Sequence, residues 1–99
     1  MARFEFFAHA PISGYLLDVQ ANIIGELKTR VVVPLMPLSS SAPPIRSLHP
    51  VLQIEGMPFL MHTHLIGAVP LRMLRGPAGT LRDRQDDIMA ALDMLFTGF

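Results

Sequence analysis

The chain has 99 residues, of which 51% are hydrophobic and 16% charged, so it has room for one hydrophobic core and we expect a single domain over residues 1–99. Eight basic residues balance eight acidic ones, which argues against a protein that grips nucleic acid directly through a basic face. The lack of cysteine excludes a disulfide scaffold and a thiolate zinc site, and it is compatible with the cytoplasm.

The N-terminal residues predict a β-hairpin. Within residues 1–9, Phe4 and Phe6 share one face of a strand, and aromatic side chains suit a pleated surface. The turn-forming sequence at residues 11–14 follows, and residues 15–20 predict the second strand of the hairpin.

A buried strand is predicted next. Residues 21–28 lack a regular pattern, whereas residues 30–35 are β-branched and apolar on both faces, as in a central strand. Pro34 cannot donate to the sheet ladder, so we expect it at the end of the strand or at a bulge. The composition of residues 39–44 predicts a loop.

The middle of the chain predicts a second hairpin and a short further strand. Residues 51–54 and 58–65 predict two strands joined by a turn at residues 55–56. Residues 69–74 predict another strand, and the glycines and proline of residues 76–79 end it.

The last part of the chain predicts a helix. Residues 80–83 carry a hydroxyl and, three positions later, an acid, which is the pattern of a capping box. Gly98 can end the helix. One stripe of apolar side chains recurs at intervals of four, three and four: Ile88, Leu92, Leu95 and Phe99.

Strands followed by one terminal helix predict an α+β fold that is mainly β. No apolar run approaches the roughly 20 residues that a membrane span needs, and the first residues do not have the pattern of a signal peptide. A chain this small and this apolar would leave much apolar surface exposed as a monomer, so we expect a homodimer.

The sequence contains no strong catalytic motif and implies no cofactor. On a strand, His62 and His64 would lie on one side and could bind a metal with a third ligand. The alternative, which we favour, is two polar residues on the solvent face with Met61, Thr63 and Leu65 facing inwards, so we expect no metal site.

The final residues are apolar. Phe99 either closes the protein's own core or is offered to a partner, and the sequence leaves both readings open.

Taken together, the chain resembles the CcdB family of toxins from end to end. No single segment is specific, but the matching segments occur in order and at nearly constant spacing. They are Asp18-Val19-Gln20 followed by Ile23-Ile24, Val33-Pro34-Leu35, Leu48-His49-Pro50-Val51 with Ile54, Met61 with Thr63, Val69-Pro70, and the helix over residues 84–98 with Asp87-Ile88, Ala91 and Phe96.

The resemblance implies an SH3-like barrel of antiparallel strands with one C-terminal α-helix, the CcdB/MazF-like fold, and a homodimer in the cytoplasm. It implies a toxin of a type II toxin–antitoxin system that is not an enzyme. Such toxins bind the DNA gyrase A subunit and trap gyrase on cleaved DNA. A CcdA-like antitoxin neutralises them, and operator DNA is bound only through the toxin–antitoxin complex.

The family's gyrase-binding positions are occupied here by Ile23, Ile24, Asp93, Thr97, Gly98 and Phe99. Ile23, Ile24 and Gly98 match the family pattern, and Phe99 keeps an apolar end. Thr97 stands where the best-known member has a tryptophan that stacks on gyrase, and Asp93 replaces an amide.

Two alternatives remain open. One is an endoribonuclease of the related MazF group, for which Arg3, Arg30 and His9 would have to supply a base and cationic groups. The other is a homologue that no longer poisons gyrase and only binds antitoxin and co-represses its operon, a reading that Thr97 motivates.

Overall fold

The computed structural model describes residues 2–22 and 27–98. Its regular elements alternate with short 3-10 turns, and one helix of 13 residues follows the strands. The elements are β1 (Glu5–His9), β2 (Gly14–Asp18), β3 (Thr29–Pro37), β4 (Val51–Ile54), β5 (Met57–Met61), β6 (Gly67–Pro70), β7 (Gly79–Thr80) and α1 (Gln85–Thr97).

The strands of the described residues form one antiparallel sheet in the order β4-β5-β3-β2-β1-β7, with β6 also paired to β3. β1 and β2 form the expected N-terminal hairpin, in which Phe6 pairs with Leu17. β3 pairs with β2 along one edge, whereas β6 and then β5 pair in succession with its other edge. β3 is therefore the central strand, as its apolar composition indicates.

Pro34 lies inside β3, so the expectation that it would stand at the end of the strand was wrong. The edge of β3 that meets β6 is paired up to Val32, and pairing with β5 begins only at Leu35. Pro34 faces the break between these two partners, where its carbonyl accepts a hydrogen bond from the His62 amide (2.9 Å). The missing N–H of proline costs little here, because no strand residue is paired with Pro34 on this edge of β3, although Leu16 of β2 is paired with it on the other edge.

The second hairpin is confirmed, with β4 and β5 joined by a two-residue turn at Glu55 and Gly56. Its returning strand is shorter than expected, because β5 ends at Met61 and Thr63–Leu65 form a 3-10 turn. Leu65 is consequently exposed, although Met61 and Thr63 are buried as predicted.

The predicted strand over residues 69–74 is also only partly correct. β6 ends at Pro70, and Leu71–Met73 form another 3-10 turn.

Both faces of the sheet bury apolar side chains. Adjacent residues of one strand point in opposite directions, so Phe6 and Leu17 enter the main core while Phe7 and Leu16 enter a smaller cluster on the other face. The main core fills the space between the sheet and α1, where Ile88 is fully buried.

The predicted helix is confirmed, but its start differs. Thr80 Oγ1 accepts a hydrogen bond from the Arg82 amide (3.3 Å) at the beginning of a 3-10 turn, Arg82–Arg84, and α1 begins only at Gln85, without a side-chain cap. The end is as expected: Gly98 adopts a left-handed backbone (φ 79°), and its amide donates to the Met94 carbonyl.

The ends of the sheet curl towards each other. A groove of about 240 Å³ is lined both by Gln53 and Glu55, at the end of β4, and by Gly79 and Thr80 of β7. The fold is α+β and mainly β, a curled, barrel-like antiparallel sheet with one C-terminal helix, as the resemblance implies. In the described residues no helix is long and apolar enough to cross a membrane.

Candidate functional site

The last turns of α1 project an uncovered surface. Ile88, Ala91 and Leu92 bury one side of the helix against the sheet. On the other side Phe96 is 70% exposed, the most exposed of the large hydrophobic side chains in the described chain. Exposure of a whole phenyl ring is costly in water unless a partner covers it, so this end of α1 is a candidate binding surface.

Beside Phe96 lies a shallow groove of about 330 Å³ between α1 and the sheet. Apolar side chains make up most of its lining, and Arg3 and Asp93 contribute charges of opposite sign at its border. The lining residues are Arg3, Val19, Gln20, Ala21, Val31, Ile66, Met89, Leu92, Asp93 and Phe96.

Arg3 is held in a fixed position at this groove. Its Nε donates to the Val19 carbonyl (3.1 Å), one terminal nitrogen lies 3.2 Å from the Met89 sulfur, and its guanidinium carbon sits 5.1 Å from the centre of the Phe4 ring. Phe4 itself has a left-handed backbone (φ 72°), which is rare for a residue with a side chain. These contacts anchor a cationic group at the rim of an apolar groove.

A buried ion pair lies close to the groove floor. Asp18 and Arg30 are 0% and 1% exposed, and their charged atoms are 2.7 Å apart. Burial raises the pKa of the Asp18 carboxyl, and the hydrogen bond from Arg30 counteracts part of that rise. The pair joins the end of β2 to the beginning of β3, across the segment that contains residues 23–26.

The burial of Arg30 bears on the ribonuclease alternative. That reading needs cationic groups that can reach a phosphate, and Arg30 is enclosed and paired with Asp18. Arg3 is committed to the α1 groove, and His9 lies at the end of β1, beside Tyr15 and Phe59. The contacts of these three residues do not bring them together into one site.

The structure places three of the six predicted gyrase-binding residues on the same surface. Asp93, Thr97 and Gly98 are exposed on the last turn of α1 and after it. Ile23, Ile24 and Phe99 lie outside the described residues. The Thr97 hydroxyl donates to the Asp93 carbonyl one turn earlier (2.7 Å), so this polar group is satisfied within the helix.

Sequence reasoning did not single out Phe96 as a site residue, nor Arg3 as part of this surface. The helical spacing gave no signal for Phe96: it is four residues after Leu92 and eight after Ile88, a spacing that places it beside the buried stripe, and yet it is exposed at the end of α1. No local signal exists for Arg3, because its neighbours Val19 and Met89 are distant in sequence.

The two histidines considered as metal ligands are not on a strand. His64 lies in the 3-10 turn Thr63–Leu65 and its Nδ1 is 2.9 Å from Nε2 of His49, while His62 precedes that turn. Within residues 2–22 and 27–98, no group of three histidine or acidic side chains is arranged to hold a metal ion.

Comparison with known protein families gives one finding that covers almost the whole chain. The family model described as CcdB protein matches residues 3–98. The matched region includes every element of the sheet, the groove beside α1 and the exposed turn with Phe96.

Proposed function

The chain belongs to the CcdB family, whose members are toxins of toxin–antitoxin systems, and from this premise we propose that it binds the A subunit of DNA gyrase and traps gyrase on cleaved DNA. The observation that carries the proposal is the family match over residues 3–98. The toxin acts by occupying a surface of its target and not by catalysing a reaction.

The end of α1, with the groove beside it, supports this mode of action. Phe96 supplies an exposed aromatic anchor, and Arg3 and Asp93 supply charges at the border of an apolar groove. An apolar centre with a charged rim is the usual anatomy of a protein–protein interface. We assign gyrase binding to this surface together with the family positions Ile23, Ile24, Thr97, Gly98 and Phe99.

Thr97 is the position at which this surface departs most from the family. Its hydroxyl is bonded within the helix, so it offers a partner only a small methyl-bearing side chain. A buried aromatic anchor contributes about 2 kcal/mol or more to an interface, which is roughly 30-fold in affinity. In our proposal Phe96 and Phe99 supply the aromatic contact.

A second candidate follows from the same position. If neither phenylalanine replaces the lost tryptophan, the protein binds antitoxin and co-represses its operon without poisoning gyrase. The two candidates share the fold and the antitoxin, and they differ only in whether gyrase is trapped.

The remaining partners follow from the family. We propose a homodimer in the cytoplasm, neutralised by a CcdA-like antitoxin, that contacts operator DNA only through the antitoxin complex. A dimer is supported by the further apolar side chains that the protomer exposes besides Phe96, because a closed two-fold dimer is the commonest way to cover such surface. They are Leu27, Ile45, Met57, Leu65, Leu71 and Met73.

The test is a DNA-cleavage assay with purified toxin, plasmid DNA and gyrase of the source organism. We expect linear DNA linked to protein to accumulate. Phe96→Ala should require roughly 30-fold more toxin for the same effect. Gln53→Ala is the control, because Gln53 is also exposed but lies on β4 and is neither part of the α1 surface nor one of the apolar side chains assigned to the dimer.

A shortened chain without Gly98 and Phe99 should lose the cleavage activity and keep its folded dimer. If the intact, well-folded dimer traps no gyrase yet binds its antitoxin, the second candidate replaces the first. Cleavage that is unaffected by both Phe96→Ala and the truncation would place gyrase binding on a different surface.

A further inference from the structure

Outside the α1 surface, three of the four histidines gather at one place. The pairing of β4 with β5 brings them together: Val51 pairs with Leu60 and the Met61 amide bonds the Pro50 carbonyl, so the next residues outward are His49 and His62. His64 follows in the 3-10 turn, with its ring centre 4.9 Å from that of His49.

Hydrogen bonds fix the protonation of two of these rings. The Ile45 amide donates to Nδ1 of His49 (2.9 Å), so this nitrogen carries no proton. In the neutral ring the proton is then on Nε2, which donates to Nδ1 of His64 (2.9 Å). Both bonds therefore require both rings to be neutral.

The third ring is bonded to the same segment in a different way. The Ser41 hydroxyl donates to the Pro37 carbonyl (2.8 Å), so the Ser41 oxygen is left to accept from Nε2 of His62 (3.2 Å). Protonation of His62 at its other nitrogen leaves this bond intact. Protonation of His62 therefore acts on the other two histidines only through the positive charge that it adds.

We propose that His49, His62 and His64 form a pH-sensitive latch: when neutral, the His49 ring fixes the turn over residues 45–49 and ties it to His64 of the β5–β6 connection, and acidification breaks both bonds. If Nδ1 of His49 is protonated, it can no longer accept the hydrogen bond from the Ile45 amide. If Nδ1 of His64 is protonated, it can no longer accept the hydrogen bond from Nε2–H of His49. Either event removes a bond, and a second proton adds repulsion between like charges.

The local environment sets the direction of the pH response. Burial lowers the pKa of His49 and of His62, and the charge of His64 lowers both further. His49 and His62 therefore bind a proton less readily in the latched segment than in the released one. For this reason the latch is fully stable above the ordinary histidine pKa. It weakens as the pH falls below about 6.5.

Only burial and the neighbouring histidines shift the pKa of His49 and of His62, and no carboxylate opposes them. The adjoining charged groups are Arg46, within the segment, and Arg84, whose guanidinium donates to the Val51 carbonyl (3.3 Å). α1 also packs against the turn that contains His64, and of the helix's acids, Asp86, Asp87 and Asp93, Asp87 is paired with Arg84 (2.8 Å).

Release should be local. Thr63 Oγ1 donates to the Leu48 carbonyl through a hydroxyl that does not titrate, and this bond keeps the end of the segment in place. The side chain of Ile45 is 61% exposed, and the Ile45 amide is bonded to the His49 ring. The latch therefore controls the position of this apolar side chain on the protein surface. None of the three histidines lines the groove beside α1.

The experiment follows amide hydrogen exchange by NMR in the untagged, full-length protein. After correction for the intrinsic exchange rate, protection of the Ile45 amide should fall at least about tenfold between about pH 7.5 and pH 4.5. Amides of β2 and β3 should stay protected, which separates local release from unfolding. His49→Ala should abolish Ile45 protection at both pH values.

Two further variants complete the design. His64→Ala removes the acceptor of the His49 Nε2–H and the charge that lowers the pKa of His49 and His62, so the fall in Ile45 protection should begin at a higher pH. His9→Ala is the control, since His9 lies on β1 and should leave the profile unchanged. An Ile45 amide whose protection does not change with pH, or does not depend on His49, would refute the latch whether or not the protein poisons gyrase.

Discussion

Replacing Arg30 by methionine should be among the most damaging single changes in this protein. Methionine keeps much of the apolar stem but removes the guanidinium that pairs with Asp18 at 2.7 Å. The carboxylate would remain 0% exposed, with the Gln20 amide (3.0 Å) as a remaining donor. Removing one partner of a buried ion pair costs about 3–5 kcal/mol, because the other charge is left uncompensated.

That loss is large for a chain of this length. With about 4–8 °C in Tm for each kcal/mol, the variant should unfold at least about 12 °C earlier than the parent. Thermal unfolding followed by circular dichroism measures the difference. All samples need the same protein concentration, because dimerisation makes Tm depend on it.

The matched control is the surface pair formed by Arg84 and Asp87. These side chains are 2.8 Å apart but well exposed, so Asp87→Asn should cost less than about 1 kcal/mol. The double change Asp18→Leu with Arg30→Met should recover most of the lost stability, since neither charge is then buried alone.

The effect of pH has a definite sign. Arg30 counteracts the rise that burial causes in the pKa of Asp18, so in the Arg30→Met variant that pKa is higher still. The folded variant then takes up a proton before the unfolded chain does, and its deficit relative to the parent shrinks as the pH falls from neutrality. A loss of less than about 4 °C in Tm, corresponding to under about 1 kcal/mol, or a double variant no better than the single one, would refute the reasoning.

Three further predictions concern stability and can be measured by urea unfolding. Gly14→Ala should cost about 1–3 kcal/mol, because the new Cβ would lie 2.0 Å from the Leu35 carbonyl oxygen and the β2–β3 ladder would have to separate; an unchanged midpoint would contradict this close approach. Thr63→Val should cost about 1–2 kcal/mol by leaving the Leu48 carbonyl without its hydroxyl donor, and a neutral effect would mean that this carbonyl finds water. Gly98→Ala should cost about 1 kcal/mol, because a Cβ is unfavourable on a left-handed backbone (φ 79°), and the new Cβ would meet no other part of the described chain within 4 Å; a stabilised variant would exclude this conformation.

Local patterns were sufficient for most of the fold. The alternation of side chains along β1 and β2 separates Phe6 and Leu17 from Phe7 and Leu16, and the structure buries the two sets in different clusters. The helical stripe of Ile88 and Leu92 likewise faces the core. Such patterns can be read from the sequence because strand and helix geometry fix which neighbouring side chains share a face.

The order of the resembling segments pointed to the family, and the match over residues 3–98 confirms it. The surface that we propose for target binding was harder to predict. Asp93, Thr97 and Gly98 came from the resemblance, whereas the exposure of Phe96 and the position of Arg3 depend on tertiary contacts that no local pattern reveals.

Contacts between distant segments decided the rest. Pro34 is tolerated within β3 because β5 and β6 leave a break opposite it, and Asp18 is buried because Arg30 lies across from it. His49 meets His64 only after β4 has paired with β5. A periodic sequence specifies which face of a helix or strand is buried. The partner of a buried charge or of an unpaired backbone group is instead set by how the whole sheet curls, and the curl depends on all strands at once.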